Sequence, residues 1–173
     1  MSVTKLYPDD RYAQKQMDRL LQQERISRDG FAKYCENLKK NAREGEKIAG
    51  IVMNANPFTN GHRHPVETAA KENDVVHLFV LSEEAGPIPF AVRKKLVKAG
   101  VAHLDNVVVH DSGPYIISSA TFPSYFLKDG NTVIRTQAGL DLRVFGKIAE
   151  TLGIQKRHVG QEKSPMSPPC TIP

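Results

Sequence analysis

Apolar positions follow two rhythms along this chain. Between residues 10 and 45 they recur at helical spacing, with Ala13, Met17, Leu20, Leu21, Ile26, Phe31, Tyr34 and Leu38 forming a partial stripe among many charges. Asp29-Gly30 predicts a break between two helices. The second piece runs from Phe31 to Ala42, carries Lys33, Lys39, Lys40 and Arg43 on the side away from Phe31, Tyr34 and Leu38, and ends at Gly45. From Lys47 onward strands and helices alternate. Ile48 to Met53 reads as a first strand and Gly61 to Asn73 as the helix after it. Val75 to Leu81 is apolar at every position but His77 and reads as a second strand, one buried on both faces. A loop from Glu83 to Pro89 leads to a helix from Phe90 to His103, whose inner face is expected to be Val92, Leu96, Val97 and Val101. Val107-Val108-Val109 predicts a third strand and Thr121 to Lys128 a short helix. Asp141 to Leu152 predicts a helix with Leu142, Phe145, Ile148, Ala149 and Leu152 as its stripe, and Gln155 to Val159 a fourth strand.

Strands alternating with helices imply an α/β fold with a parallel sheet and helices on both faces. In such sheets ligands bind outside the carboxyl ends of the strands. Three segments follow: a helical N-terminal part over 1–45, an α/β unit over 46–162, and an irregular tail over 163–173 with four prolines and no periodicity.

Composition narrows the class only a little. At 173 residues the chain fits one domain. Hydrophobic residues are 40% and charged residues 25%, ordinary values for a globular protein. The net charge of +5 suits an anionic ligand without arguing for nucleic acid. The basic stretch from Lys33 to Lys47 lacks the aromatic platform that nucleic-acid binding would need, and reads as a solvated helical face. No apolar run is long enough for a membrane span, and Met1 to Lys5 has no signal-peptide character. Cys35 and Cys170 stand far apart, which predicts reduced thiols and a cytoplasmic setting.

The chemistry concentrates where the first strand meets its helix, in Met53-Asn54-Ala55-Asn56-Pro57-Phe58-Thr59-Asn60-Gly61-His62. A helix start has backbone N–H groups with no helical partner and carries positive dipole, so it favours phosphate. Gly61 lets a ligand approach the backbone, although a turn glycine would look the same. Thr59 offers a hydroxyl, with plain N-cap duty as a compatible role. His62 offers a ring nitrogen that can bond a reacting phosphate. Asn54, Ala55, Asn56, Pro57 and Phe58 form a loop whose backbone could cradle phosphates. His64 follows His62 by two residues, but the two face apart on a helix and no third ligand accompanies them, so no metal site is expected.

Pro57-Phe58-Thr59-Asn60-Gly61-His62 resembles the T-x-G-H variant of the H-x-G-H motif of the nucleotidyltransferase superfamily. Phe90-Ala91-Val92-Arg93-Lys94-Lys95-Leu96-Val97 and Ala102-His103-Leu104-Asp105-Asn106-Val107 are similar to that superfamily's second helix and third strand. The longer patterns Ile51 to Thr59, His77-Leu78-Phe79 and Tyr115 to Phe126 resemble the citrate lyase ligase family, from about Phe31 to about Glu162. The resemblance implies a Rossmann-like nucleotidyltransferase domain that uses ATP, with Mg²⁺ as its companion, and acetate. It implies that acetate attacks the α-phosphate to give acetyl-adenylate and pyrophosphate. The acetyl group then passes to the thiol of the phosphoribosyl-dephospho-CoA-type prosthetic group on the citrate lyase acyl carrier protein. His62, Thr59 and Arg93 are the expected catalytic residues, Arg93 because a basic residue near this point contacts phosphate or substrate in the superfamily. Lys94 and Lys95 are expected on a solvated face. The nucleotide is expected on Met53, Asn54, Ala55, Asn56, Pro57, Phe58, Thr59, Gly61 and His62.

Two departures from the family pattern stand out. Residues 1–30 are too short for the acetyltransferase-like domain that usually comes first. The Ser/Arg-rich second phosphate motif is also missing, since Ser118-Ser119-Ala120-Thr121 stands too early to be it. A truncated form with a frame-shifted tail after Glu162 is the expectation. Two other readings stay open: a nucleotidyltransferase of the pantetheine-phosphate adenylyltransferase kind, and an inactive nucleotide-binding remnant.

Overall fold

The first strand, β1 (Ile48–Met53), has five of its six residues buried, because helices cover it from both sides. A computed structural model describes residues 28–84, 87–116 and 143–158. Within them β1 is followed by α2 (Asn60–Glu72), β2 (Val75–Val80), α3 (Phe90–Gly100), β3 (Val107–Asp111) and β4 (Lys156–His158). A helix α1 (Arg28–Lys40) precedes β1, and residues 143–152 form a further helix, α4. The four strands are parallel in the order β3-β2-β1-β4. The register places Ile48 opposite Val75 and Met53 opposite Val80, and continues from Val80 to Asp111. On the other side of β1, Ile51 lies opposite His158. The expected α/β, Rossmann-like arrangement is therefore what the chain adopts.

Alternate residues of the strands feed two cores. Ala49, Ile51, Met53, Val76, Leu78 and Val80 pack with Val66 and Ala69 of α2 and Val97 of α3. Phe79 packs with Leu38 of α1 and with Phe145, Ile148 and Leu152 of α4. Gly50 sits where α4 comes closest, since a Cβ there would lie 3.0 Å from Phe145 Cζ and 3.1 Å from Ile154 Cδ1. Burial of about 25 cal/mol per Å² of apolar surface makes these two layers the main stabilising term.

Several boundaries and faces differ from the sequence reading. Asp29-Gly30, expected as the break between two helices, lies in the first turn of α1, which ends at Lys40, and the residues on the other side of the expected break lie outside the described ones. The helix expected to reach His103 stops at Gly100, and β3 runs two residues further, to Asp111. The inner face of α3 also differs. Val97 and Val101 are buried as expected, but Val92 is 46% and Leu96 42% exposed, while Arg93 is fully buried. The guanidinium displaces them because its hydrogen-bond partners lie inward. The helices expected over 10–27 and 121–128, Leu142, most of the Tyr115–Phe126 segment and the tail over 163–173 lie outside the described residues.

The chain ties its strand ends together with polar groups. Asp74 Oδ2 accepts the backbone N–H of Glu46 at 2.9 Å and of Lys47 at 2.8 Å, joining the entry of β1 to that of β2. Asn106 Nδ2 donates to the carbonyls of Ala70 and Asn73 at the end of α2. On the outer side of β3, Tyr34 Oη of α1 donates to the Asp111 carbonyl at 2.8 Å, and Arg43 donates to the Asp105 carbonyl.

Candidate nucleotide-binding site

The segment after β1 leaves the carboxyl end of the central strand pair, where parallel sheets bind ligands. Met53 is buried at the strand end, and Ala55 is fully buried with φ +51°. A left-handed conformation costs an alanine about 1 kcal/mol or more, so packing holds the chain there. The Asn56–Pro57 peptide is cis. Pro57, Thr59 and Gly61 are exposed, while Asn54, Asn56, Phe58 and His62 are half-buried.

Thr59 is the N-cap of α2, with φ −125° and ψ 171°. Its carbonyl accepts the N–H of His62 at 2.9 Å and of Arg63 at 3.0 Å. His62, three residues on, folds its ring back over the cap. The Thr59 backbone N–H donates to His62 Nδ1 at 3.2 Å, and Thr59 Oγ1 lies 2.8 Å from the same nitrogen. An Nδ1 that accepts an N–H carries no proton of its own, so a neutral ring has its proton on Nε2. Nε2–H is then a donor turned away from the cap. The N–H groups of Asn60 and Gly61, in the first turn, have no helical carbonyl to bond. Pro65, inside α2, has no N–H to return to the Gly61 carbonyl.

Gly61 has no structural reason to be glycine. Among the described residues a Cβ there would meet only Thr59 Oγ1, at the ordinary contact distance of 3.6 Å.

Arg93 occupies a place that sequence reasoning did not foresee. Its guanidinium is fully buried. Nε donates to the Ile88 carbonyl at 3.1 Å, and one terminal nitrogen donates to the Asn54 carbonyl at 2.7 Å, to Asn54 Oδ1 at 2.9 Å and to the Leu81 carbonyl at 3.0 Å. The other terminal nitrogen donates to the Glu83 carbonyl. Arg93 thus fastens the β1–α2 loop to the β2–α3 loop, and faces carbonyls rather than an open phosphate site. Lys94, expected on a solvated face, is half-buried and pairs with Asp111 at 2.6 Å; Lys95 is exposed. A second contact from α3 was also missed. Phe58 sits against Gly100, two turns beyond Arg93 on the same face of the helix, and stacks on the His62 ring at 6.0 Å between centroids and 28° between planes. The i, i+7 spacing of Arg93 and Gly100 was the available signal.

The profile of the citrate lyase ligase C-terminal domain matches residues 48–169, and so takes in every residue of this site. The chain belongs to the citrate lyase ligase family. Relatives named [citrate [pro-3S]-lyase] ligase include those of Escherichia coli K12, 44% identical over 75% of this chain, and Klebsiella pneumoniae, 44% identical over 79%. The Haemophilus influenzae Rd protein is 42% identical over 75%. The chain spans 37%, 40% and 39% of the length of these three citrate lyase ligases. Among solved structures, one provisionally assigned to a nicotinate-nucleotide adenylyltransferase of Vibrio parahaemolyticus is 18% identical. It covers 70% of this chain and 81% of its own, with a TM-score of 0.35, too low to inform the site. Among the described residues of this family member no helix is long and apolar enough to cross a membrane, and no three His, Cys, Asp or Glu side chains gather as metal ligands.

Proposed function

We propose that this chain is the nucleotide-binding part of an ATP-dependent ligase that activates citrate lyase. Residues 46–162 form the catalytic unit in this reading. The observation that carries it is the His62–Thr59 arrangement, which engages Nδ1 at the cap and leaves Nε2–H as the ring's remaining donor, at a helix start where a Cβ at Gly61 would meet only Thr59 Oγ1 among the described residues. An imidazole N–H and backbone N–H groups at a helix start are donors whose chemistry suits phosphate oxygens.

In the reaction, an acetate oxygen attacks the α-phosphorus of ATP, and the bond to the leaving pyrophosphate breaks. The acetyl-adenylate then meets the thiol of the prosthetic group on the citrate lyase acyl carrier protein, a thioester forms, and AMP leaves. His62 Nε2–H bonds an oxygen on which charge accumulates, worth about 3 kcal/mol in the transition state for a donor of this kind. Thr59 and the loop from Met53 to Phe58 hold the triphosphate. Mg²⁺ arrives with ATP, held mainly by phosphate oxygens and water. Arg93 acts by fixing the loop. Relatives that carry the name and the match over the site support the reading.

Titration calorimetry of the whole chain with ATP and AMP tests it, with H62A as control and acetate-dependent pyrophosphate release as the catalytic assay. Saturable heat that weakens at least tenfold in H62A is expected. Absence of binding by the unaltered chain at millimolar nucleotide overturns the reading. Pyrophosphate release dependent on phosphopantetheine instead of acetate overturns the choice of substrate.

A further inference from the structure

The aim of an imidazole depends on what its ring rests upon as well as on its hydrogen bonds. His62 Nδ1 is held by Thr59, but a bond at one ring atom leaves the plane of the ring free to turn about it. Phe58 fixes that plane: its ring stacks on His62 with 28° between planes. Phe58 itself is half-buried and packs against the core beneath α2 and α3. Its seat is Gly100, the last residue of α3. A Cβ at Gly100 would collide with the Phe58 ring, reaching 2.7 Å from Cδ1 and closer still to Cε1. Gly100 is in the helix and shows no left-handed φ, so its backbone conformation does not demand glycine. What demands it is the ring lying on it.

We infer that Phe58, seated on the bare backbone of Gly100, is the positioning residue that aims His62 Nε2 at the nucleotide. The inference rests on the nucleotide-binding reading for its consequence, but the aiming itself is a property of the protein. It makes α3 a template for the loop at two points: Arg93 holds the loop's beginning through Asn54, and Gly100 holds its end through Phe58. A shift of about 1 Å in such a group can cost on the order of 100-fold in rate.

The test uses the full chain labelled with [¹⁵N]histidine, read by two-bond ¹⁵N–¹H correlation spectra, with H62Q assigning the His62 signal. G100A, F58A and the double variant F58A/G100A are compared with the unaltered chain, and each is titrated with ATP. In G100A the His62 ring signals are expected to shift as the ring turns out of its seated plane, and ATP affinity to fall at least tenfold. F58A cannot clash and so reports on the relay even if G100A misfolds; it is expected to show the same two changes. In the F58A background, G100A is expected to add nothing. An unchanged His62 signal in both single variants overturns the inference. A G100A effect that persists undiminished without Phe58 also overturns it. If the unaltered chain binds no ATP while G100A and F58A still move the His62 signal, the aiming stands and the nucleotide reading falls.

Discussion

Replacing Gly61 with alanine should separate the needs of the fold from those of a ligand. Among the described residues the added methyl would meet Thr59 Oγ1 at 3.6 Å and nothing else within 4 Å, and the position requires no left-handed backbone. The folded protein therefore loses nothing. Alanine is better than glycine inside a helix by about 1 kcal/mol, with a smaller gain in a first turn, so the expected stability change lies between zero and that value. Binding is another matter. An N–H···O bond to phosphate needs about 2.9 Å between heavy atoms, and a methyl group above the turn keeps the oxygen out. Loss of one hydrogen bond to a charged group costs about 1.5–3 kcal/mol, which is roughly 10- to 150-fold in dissociation constant. Thermal denaturation and calorimetric titration with ATP on the same sample read both quantities. An alanine variant that binds ATP as tightly as the unaltered chain would refute the idea that phosphate passes over this residue. A melting temperature several degrees lower would show that the glycine serves the fold after all.

Three further outcomes follow from contacts elsewhere. R93M should cost about 3 kcal/mol or more in urea denaturation, because it strips the donors from the Asn54, Leu81, Glu83 and Ile88 carbonyls; R93K should recover part, and a neutral R93M would remove Arg93 as a clamp. His77 and His110 lie 2.8 Å apart in the core, and burial pushes both imidazoles down to about 4; Arg43 adds to this at His77, His77 adds to it at His110, and Asp111 opposes it there. The unfolded chain takes up protons below about 6.5 that the folded chain refuses, so stability should be full above that pH and fall as pH drops toward 4. Melting curves from pH 7 to 4 should show this slope flattened in H77L/H110F, and an unaltered slope would place the acid sensitivity elsewhere. D74A should lower the denaturation midpoint by an amount worth about 1 kcal/mol, since two N–H groups at the entry of β1 lose their acceptor; no change would mean water replaces the carboxylate fully.

The elements that a single sequence displayed well are those whose burial is complete. Val75 to Val80 is apolar at every position but His77, and such a run can only be a strand covered on both faces. The Thr59–His62 spacing was legible too, because N-cap and N3 residues meet whatever the rest of the fold does. Helix α3 was read less well. Its apolar residues gave a stripe through Val92 and Leu96, but the side that faces inward was decided by Arg93, whose carbonyl partners come from two separate loops. Periodicity carries no trace of such partners. The His77–His110 contact was likewise invisible, because it depends on the register of two strands 33 residues apart. Whether the expected site residues bind nucleotide is a matter for the titrations described above. What the fold contributes is that they stand together around one helix start, with Arg93 behind them.

The bonds from Tyr34 and Arg43 to the outer carbonyls of β3 and its approach have a consequence for handling the protein. β3 ends the order of strands among the described residues, and a bare outer rim of a sheet recruits other chains. Helix α1 works there as a guard rail against self-association. A shortened version starting at Lys47, chosen to match the family's boundary at residue 48, would strip that rail away and should clump in solution even though its sheet residues are untouched.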